Sequence, residues 1–562
     1  MLVGPAGSGK TTLAETLLAA SGAVSRADHA QGRTISLAVT PLVREGTTIN
    51  LIDTPGYADF VGELRAGLRA ADCALFVVAA NEAVDEGTRA LWRECASVGM
   101  PRAVVITKLD QARADYEGLL GQAQAAFGDR VLPLFVPVRE GGAVVGLTGL
   151  LAPSADTSAL RGDLIEAVIE ESEDETLMDR YVGGEEIDEK VLLDDLERAV
   201  ARATFFPVVP VCSLTGVGCL ELLDLAVRGF PSPAEHPSPD VFLPSGAAAS
   251  PISGDPSGPL VAEVVKTTSD PYVGRLSLVR VFSGTLVADQ SVHVSGHFAA
   301  FFGDAAGHPD HDEDERIGTL AHVVGRTQAP AERVVAGDIC AIGRLTRAET
   351  GDTLSDVDDP RVLRPWSMPE PLLPVAIVAR SKADDDKLSH ALGRLAAEDP
   401  SLRIDNNAET HQLVLWCMGE SHAEVTLERL TERYAVHVDQ VPFVVSLRET
   451  FAGPATGLGR HVKQSGGHGQ YAVCHLEVEP LPEGAGFEFV DKVVGGAVPR
   501  QYSPVSRRAC ARRWSAGCAS GTPSSTYASP SPTASRTAST PPTWPSRPPA
   551  RSRCGRRRRP RR

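Results

Sequence analysis

Within its first eighteen residues the chain passes from an apolar pair, Leu2-Val3, into Gly4-Pro5-Ala6-Gly7-Ser8-Gly9-Lys10-Thr11-Thr12. It then enters the helix-forming run Leu13-Ala14-Glu15-Thr16-Leu17-Leu18. A short strand, a glycine-rich turn and a helix in that order leave few folds open. The turn matches G-x-x-x-x-G-K-[ST], the phosphate-binding loop of parallel α/β sheets. Glycines let backbone N–H groups curl around phosphate oxygens, and the helix start adds a positive dipole end. Gly4, Gly7, Ser8, Gly9 and Thr12 form the cradle. Lys10 is placed to reach β- and γ-phosphates, and the Thr11 hydroxyl to ligate Mg²⁺.

Further strand ends carry matching chemistry. The run Thr48-Ile49-Asn50-Leu51-Ile52 ends in Asp53-Thr54-Pro55-Gly56. A carboxylate there can hold Mg²⁺ through water, and the Gly56 amide can sense a γ-phosphate because no side chain blocks the approach. Arg102-Ala103-Val104-Val105-Ile106 reads as a buried parallel strand and leads to Thr107-Lys108-Leu109-Asp110. The Asp110 carboxylate can accept both N1–H and N2–H₂ of guanine, a pair that adenine does not offer, while the Lys108 stem packs on the ring. Three such motifs in order favour a guanine nucleotide.

With these motifs in place, the chain resembles the translational GTPases, elongation factor G in particular, and within it a divergent actinobacterial elongation factor G-like branch. The likeness is carried by Asp53-Thr54-Pro55-Gly56-Tyr57-Ala58-Asp59-Phe60-Val61-Gly62-Glu63-Leu64, and by Arg33-Thr34-Ile35-Ser36 at the switch I position. It implies that Ser213 and Leu214, in Cys212-Ser213-Leu214, back the guanine base. The implied ion ligands are Thr11, Asp53 and Ser36, with Thr34 as the fallback hydroxyl. The implied catalytic set is Lys10, Gly56 and Tyr57, the last standing where elongation factor G has its catalytic histidine.

That substitution is the main departure. A phenol with a pKa near ~10 orients water but does not share a proton at neutral pH as imidazole does. Thr107 replaces the usual Asn, which predicts a looser brace between base and phosphate loop. Gly7 stands where the family usually has Asp, and the acidic stretch before Arg33 is missing. Nucleotide binding is therefore expected, with impaired hydrolysis.

The resemblance divides the chain into a P-loop GTPase domain over 1–234, with an insert at about 115–205, then a Pro/Ser/Gly/Ala-rich linker at 235–258. A β-barrel domain II follows at 259–365, a ferredoxin-like domain III at 372–450 and a partial domain IV at 451–505. The fold class is thus multidomain α/β plus β. Within the barrel, the run from His308 to Glu315 has metal-ligand residue types, but reads as an exposed acidic loop. His422 reads as a packed side chain. The loop Gln464–Tyr471 matches the segment that, in elongation factor G, reaches the decoding centre, and suits RNA contact by shape and 2′-OH groups.

After Val505 the chain has fourteen arginines and no Lys, Asp or Glu, although the net charge of the whole is −17. From Ser506 it lacks Leu, Ile, Val, Met and Phe, so residues 506–562 are expected to be a disordered basic tail. Its composition is that of GC-rich DNA read out of frame, which would remove the rest of domain IV and all of domain V. An RNA-binding arm ending in Arg556–Arg559 is the alternative. The ten cysteines form no C-x-x-C pair, which predicts reduced thiols in a cytoplasmic protein.

Two functional classes follow. The first is a ribosome-stimulated GTPase of the elongation factor G type, acting as a monomer on ribosomal RNA and proteins, and on tRNA–mRNA through the 464–471 loop. The second is a GTP-dependent ribosome-associated binding factor with poor turnover. A tetracycline-resistance type ribosome protection protein is a sibling of the first.

Overall fold

The computed structural model describes residues 1–22, 34–151, 158–185, 187–270, 274–303, 309–324, 327–445, 452–463, 470–482, 485, 487–493 and 503–516. They fall into two units, residues 1–407 with 411–443, and residues 408–410 with 444–562.

The first unit begins with a seven-stranded sheet. Its strands include β1 (Leu2–Val3), β2 (Ala38–Arg44), β3 (Thr47–Asp53), β4 (Ala74–Ala79) and β5 (Arg102–Thr107). The order is β2-β3-β1-β4-β5, then Phe206–Pro210 and Val131–Pro133. All neighbours run parallel except the β2–β3 hairpin. β4 and β5 are buried along their whole length, as their unbroken apolar runs predict. Helices cover both faces. On one, Phe76 meets the edge of Trp92 at 5.0 Å, and Trp92 stacks on Phe127 at 4.3 Å. This architecture gathers the phosphate loop and the segments after β3, β5 and Phe206–Pro210 at the carboxyl end of the sheet, where open α/β sheets bind ligands.

The barrel is an eight-stranded antiparallel sheet spanning residues 261–355. Its core is Val264, Val279, Val281, Val292, Val294 and Leu354, with partners from the same alternating strands. Two expectations change here. The acidic stretch is a strand, His311–Arg316, paired along its length with Ser291–Gly296. Alternate residues of that strand meet partners, His311 on Asp352 at 3.0 Å and Glu313 on Arg347 at 2.6 Å, so the ladder has a use for charges that read as loop in the sequence. Among the described residues no group of side chains there is arranged to hold a metal ion. The Pro/Ser-rich linker also contributes structure: Val241–Phe242 pairs with Val362–Leu363, and Ile252 is buried beside them.

The ferredoxin-like domain follows the expected β-α-β-β-α-β order, with strand order Arg403–Asn407, Gln412–Cys417, Leu373–Ala379 and Val438–Val441. Its helices, Lys382–Glu398 and Glu420–Tyr434, pack on one face.

The second unit contains a hairpin, Ala455–Lys463 with Gln470–Val478, and a helix, Ser503–Ala516. The helix takes in residues 506–516, so the first part of the expected tail is helical. Arg and Ala, both strong helix formers, recur through this helix, and Cys510 is buried on it. The rest of the tail, Arg33, and residues 464–469 of the expected decoding loop lie outside the described residues. Among the described residues, no helix is long and apolar enough to cross a membrane.

Candidate nucleotide site

The loop after β1 closes through Gly9, a left-handed residue (φ 93°) that caps helix α1, Lys10–Ser21. Glycine is the residue that takes this conformation without cost. Lys10 is buried, and its Nζ donates to the carbonyls of Gly4 at 2.7 Å and Pro5 at 2.9 Å. Burial lowers its pKa to about 8, against the opposing pull of Asp53. The ammonium therefore waits inside the loop on two neutral acceptors, which a phosphate would replace.

Next to it, Thr11 Oγ1 donates to Asp53 Oδ2 at 2.8 Å and lies 3.0 Å from Thr34 Oγ1. Asp53 Oδ1 is buried with no partner, and burial raises the pKa of this carboxyl. A buried carboxylate oxygen without a donor is costly unless something positive comes to it. Two hydroxyls and a carboxylate are an all-oxygen set, suited to a hard divalent cation. The residues thus fit Mg²⁺.

Ser36 is the expected third hydroxyl, and the structure holds it elsewhere. Its Oγ accepts a bond from Lys266 Nζ of the barrel, and Thr34 takes the position beside Thr11. The sequence offers both hydroxyls, and only the fold decides which one meets Thr11.

Gly56 lies directly over the phosphate loop, its carbonyl accepting the Ala6 N–H at 3.1 Å. A Cβ on Gly56 would come within 2.5 Å of Lys10 Nζ and 2.6 Å of the Ala6 nitrogen, so no other residue fits there. Tyr57 follows at the start of a 3-10 turn, Ala58–Phe60, with 37% of its surface exposed.

At the base end, Thr107 Oγ1 donates to Ser8 O at 2.6 Å and sits 3.2 Å from Val78 O, all in buried surroundings. Through this bond the Thr107 hydroxyl ties the base-side strand to the phosphate loop. Thr16 Oγ1 donates to Ser213 O at 3.2 Å and so ties helix α1 to the base-side loop. Asp110 is exposed, with Cys212 Sγ at 3.8 Å, and Lys108 pairs with Glu82 at 3.2 Å. Leu214 is 69% exposed. Thr12 is exposed on the first turn of helix α1, Gly7 takes a positive φ of 84° within the loop, and Ser8 is fully buried with an unpartnered Oγ.

The segment after Gly56 is also held from outside its own domain. Asp59 Oδ2 accepts the Ser421 N–H at 2.9 Å, capping a helix whose own N-cap, Gly419, has no side chain to do so. Phe60 packs near the His422 ring at 6.1 Å, and His422, itself buried, bonds to Asp399 at 3.1 Å. Burial is the largest single influence on Asp399 and would raise its pKa, but the bond and charge of His422 and the two bonds from Ser401 together overcome it and hold the carboxyl well below the usual range. Asp59, Glu63 and Lys266 are site-adjacent residues that sequence reasoning missed. Asp59 and Glu63 lie in the Asp53–Leu64 stretch with no local sign of these partners, and Lys266 shows only as a second charge after Glu263 in an otherwise apolar strand.

Comparison with known proteins matches this geometry. Residues 1–232 match the elongation factor Tu GTP-binding domain, residues 259–357 elongation factor G domain 2, residues 368–441 its domain III and residues 444–524 its domain IV. Elongation factor G-like proteins of two Mycobacterium tuberculosis strains, CDC 1551 / Oshkosh and ATCC 25618 / H37Rv, are each 61% identical over 559 residues. Each alignment covers 93% of this chain and 78% of the relative. The chain belongs to the elongation factor G-like proteins. A crystal structure of a Thermus thermophilus protein agrees in fold, with a TM-score of 0.76 at 31% identity, over 94% of this chain and 79% of that one. As an elongation factor G-like protein the chain is a translational GTPase, and factors of this family act on the ribosome.

Proposed function

We propose that this chain binds GTP with Mg²⁺ at the carboxyl end of its parallel sheet and turns it over slowly unless the ribosome assists. Lys10 and the amides of the Gly4–Thr12 loop hold the phosphates. Thr11, Asp53 and Thr34 hold the ion, which when bound neutralises charge on the β- and γ-phosphate oxygens. Lys108 and Asp110 select guanine, with the Ser213-Leu214 loop behind the base.

The observation that carries this reading is the meeting of Thr11, Thr34 and Asp53 beside a buried ammonium, with one Asp53 oxygen unpartnered. The exposed position of Tyr57 beside Gly56 supports slow intrinsic turnover, since a phenol can orient a water but is a poorer general base than an imidazole. The likeness to elongation factor G domains 2, III and IV supports action on the ribosome. We propose that the chain works there as a cytoplasmic monomer, with the Gln464–Tyr471 sequence as its contact to tRNA–mRNA.

The test is phosphate release from GTP with and without ribosomes, for the unmodified chain and for Tyr57→His. Ribosomes should accelerate release, and Tyr57→His should raise the stimulated rate about tenfold or more, within the ordinary range of general acid–base effects. Absence of acceleration at any ribosome concentration contradicts the reading.

A further inference from the structure

The barrel strand Val261–Asp270 pairs with Gly274–Ser283 in a ladder that is broken at one place beyond its first residue. Val264 stands opposite Val279 and Lys266 opposite Leu278, so Val265 is an extra residue between them. Side chains alternate along a strand, and one inserted residue reverses the faces of everything after it. Val264 lies in the barrel core. Without the bulge Lys266 would share that face, where a lone ammonium cannot remain. With it, Val265 joins the apolar cluster of the nucleotide-binding domain, together with Leu37 and Ile52, and Lys266 emerges beside the switch segments.

There Lys266 Nζ lies 2.6 Å from both Glu63 oxygens and bonds to Ser36 Oγ. Glu63 belongs to helix α2 (Val61–Ala70), which follows the Asp53–Gly56 segment. Its Oε2 also accepts the Leu37 N–H at 2.8 Å. Both side chains are largely shielded, at 9% and 13% exposure for Lys266 and Glu63. One ion pair thus joins a barrel strand, the helix after Gly56, and the two residues that close the segment carrying Thr34. An isolated buried pair adds little to stability, but loss of one partner strands the other, so such a pair fixes arrangement more than it adds energy.

We propose that Lys266 is a positioning residue for the ion site: by holding Ser36 and Glu63 it keeps Thr34 at Thr11 and Asp53, and so makes the barrel favour the triphosphate-bound arrangement. The proposal rests on the nucleotide reading above and adds to it a specific part for the barrel. Lys266 touches neither the phosphates nor the ion set. Its effect therefore falls on whatever distinguishes a triphosphate from a diphosphate, which is the ordering of the Thr34 segment.

The experiment compares full-length unmodified chain, Lys266→Met, Lys266→Arg and Glu63→Gln, titrated with a fluorescent GDP and with a non-hydrolysable GTP analogue, both in Mg²⁺. Lys266→Met should weaken the triphosphate analogue about tenfold and GDP less than about twofold, within the usual range of coupling between sites. Lys266→Arg should recover most of the loss, since a cation of similar reach restores the bonds to Glu63. Glu63→Gln keeps the shape and removes the charge, and should repeat the selective loss where Lys266→Met does not fold. Equal losses for both nucleotides, or no loss for either, overturn the proposal. If the unmodified chain binds neither nucleotide, the nucleotide reading fails with it. If it binds both and the variants match it, only the part given to Lys266 fails.

Discussion

At the phosphate end of the site Lys10 and Thr54 are buried and bonded to backbone carbonyls, and Thr11, Thr34 and Asp53 already touch. At the base end Asp110 is exposed, Lys108 is drawn to Glu82, and Leu214 stands in solvent. The difference separates two tasks. Affinity for phosphate depends on donors and acceptors that the fold orders before any ligand arrives, which lowers the entropy lost on binding. On the function proposed above, choice of purine falls to the one carboxylate of Asp110, whose contact in the structure is Cys212 Sγ at 3.8 Å. Thr107 joins the two ends, since its hydroxyl braces the base-side strand against Ser8.

The most damaging test of this division is Lys10→Ala. It should weaken GTP and any other nucleoside triphosphate alike, by about a hundredfold, because a charge-assisted contact to phosphate is worth up to about 3 kcal/mol. Equilibrium titration would read this, and a loss confined to guanine nucleotides would break the comparison. Thr107→Val comes next. It keeps the shape and removes a buried hydroxyl with two carbonyl partners, so GTP affinity should fall about tenfold, near 1–1.5 kcal/mol. Phosphate and base recognition should weaken together, since the brace serves both.

The smallest effect is a control remote from either end. The Asp352 bond pushes the His311 pKa up from 6.5 to about 9, so the folded chain holds a proton there that the unfolded chain releases earlier. Stability from this group is complete below about pH 6.5 and is lost as pH rises towards 9. Unfolding temperature should therefore decline across that window by about 2 °C or less. His311→Gln should flatten the decline while leaving both nucleotide affinities unchanged.

The parts of this molecule that could be read from sequence are those whose chemistry is local. The Gly4–Thr11 loop, Asp53–Gly56 and Thr107–Asp110 each place their functional groups within a few residues, at strand ends that the apolar runs of β4 and β5 make legible. The ferredoxin-like unit could be read for the same reason, from alternating strand and helix periods. What could not be read depends on partners far along the chain. Thr34 and Ser36 are equivalent as hydroxyls, and the choice between them falls to Thr11 on one side and Lys266 on the other. That lysine reaches Ser36 only because Val265 shifts the strand register, and no local pattern marks a bulge. Asp59 capping the Glu420–Tyr434 helix, and the strand pairing within the Pro/Ser-rich linker, are likewise contacts between segments that sequence keeps apart.

Guanine selection by a single exposed carboxylate is the claim on which the site reading turns. Replacing Asp110 with Asn exchanges an acceptor pair for a group that can donate, and xanthine offers at C2 the carbonyl that guanine lacks. The decisive measurement is equilibrium binding of GTP, ATP and xanthosine triphosphate to the unmodified chain and to Asp110→Asn. The unmodified chain should prefer GTP over ATP by at least about a hundredfold, and the variant should lose that preference and gain xanthosine triphosphate. An unmodified chain that binds GTP and ATP equally, or a variant that keeps its preference for GTP, would contradict the account.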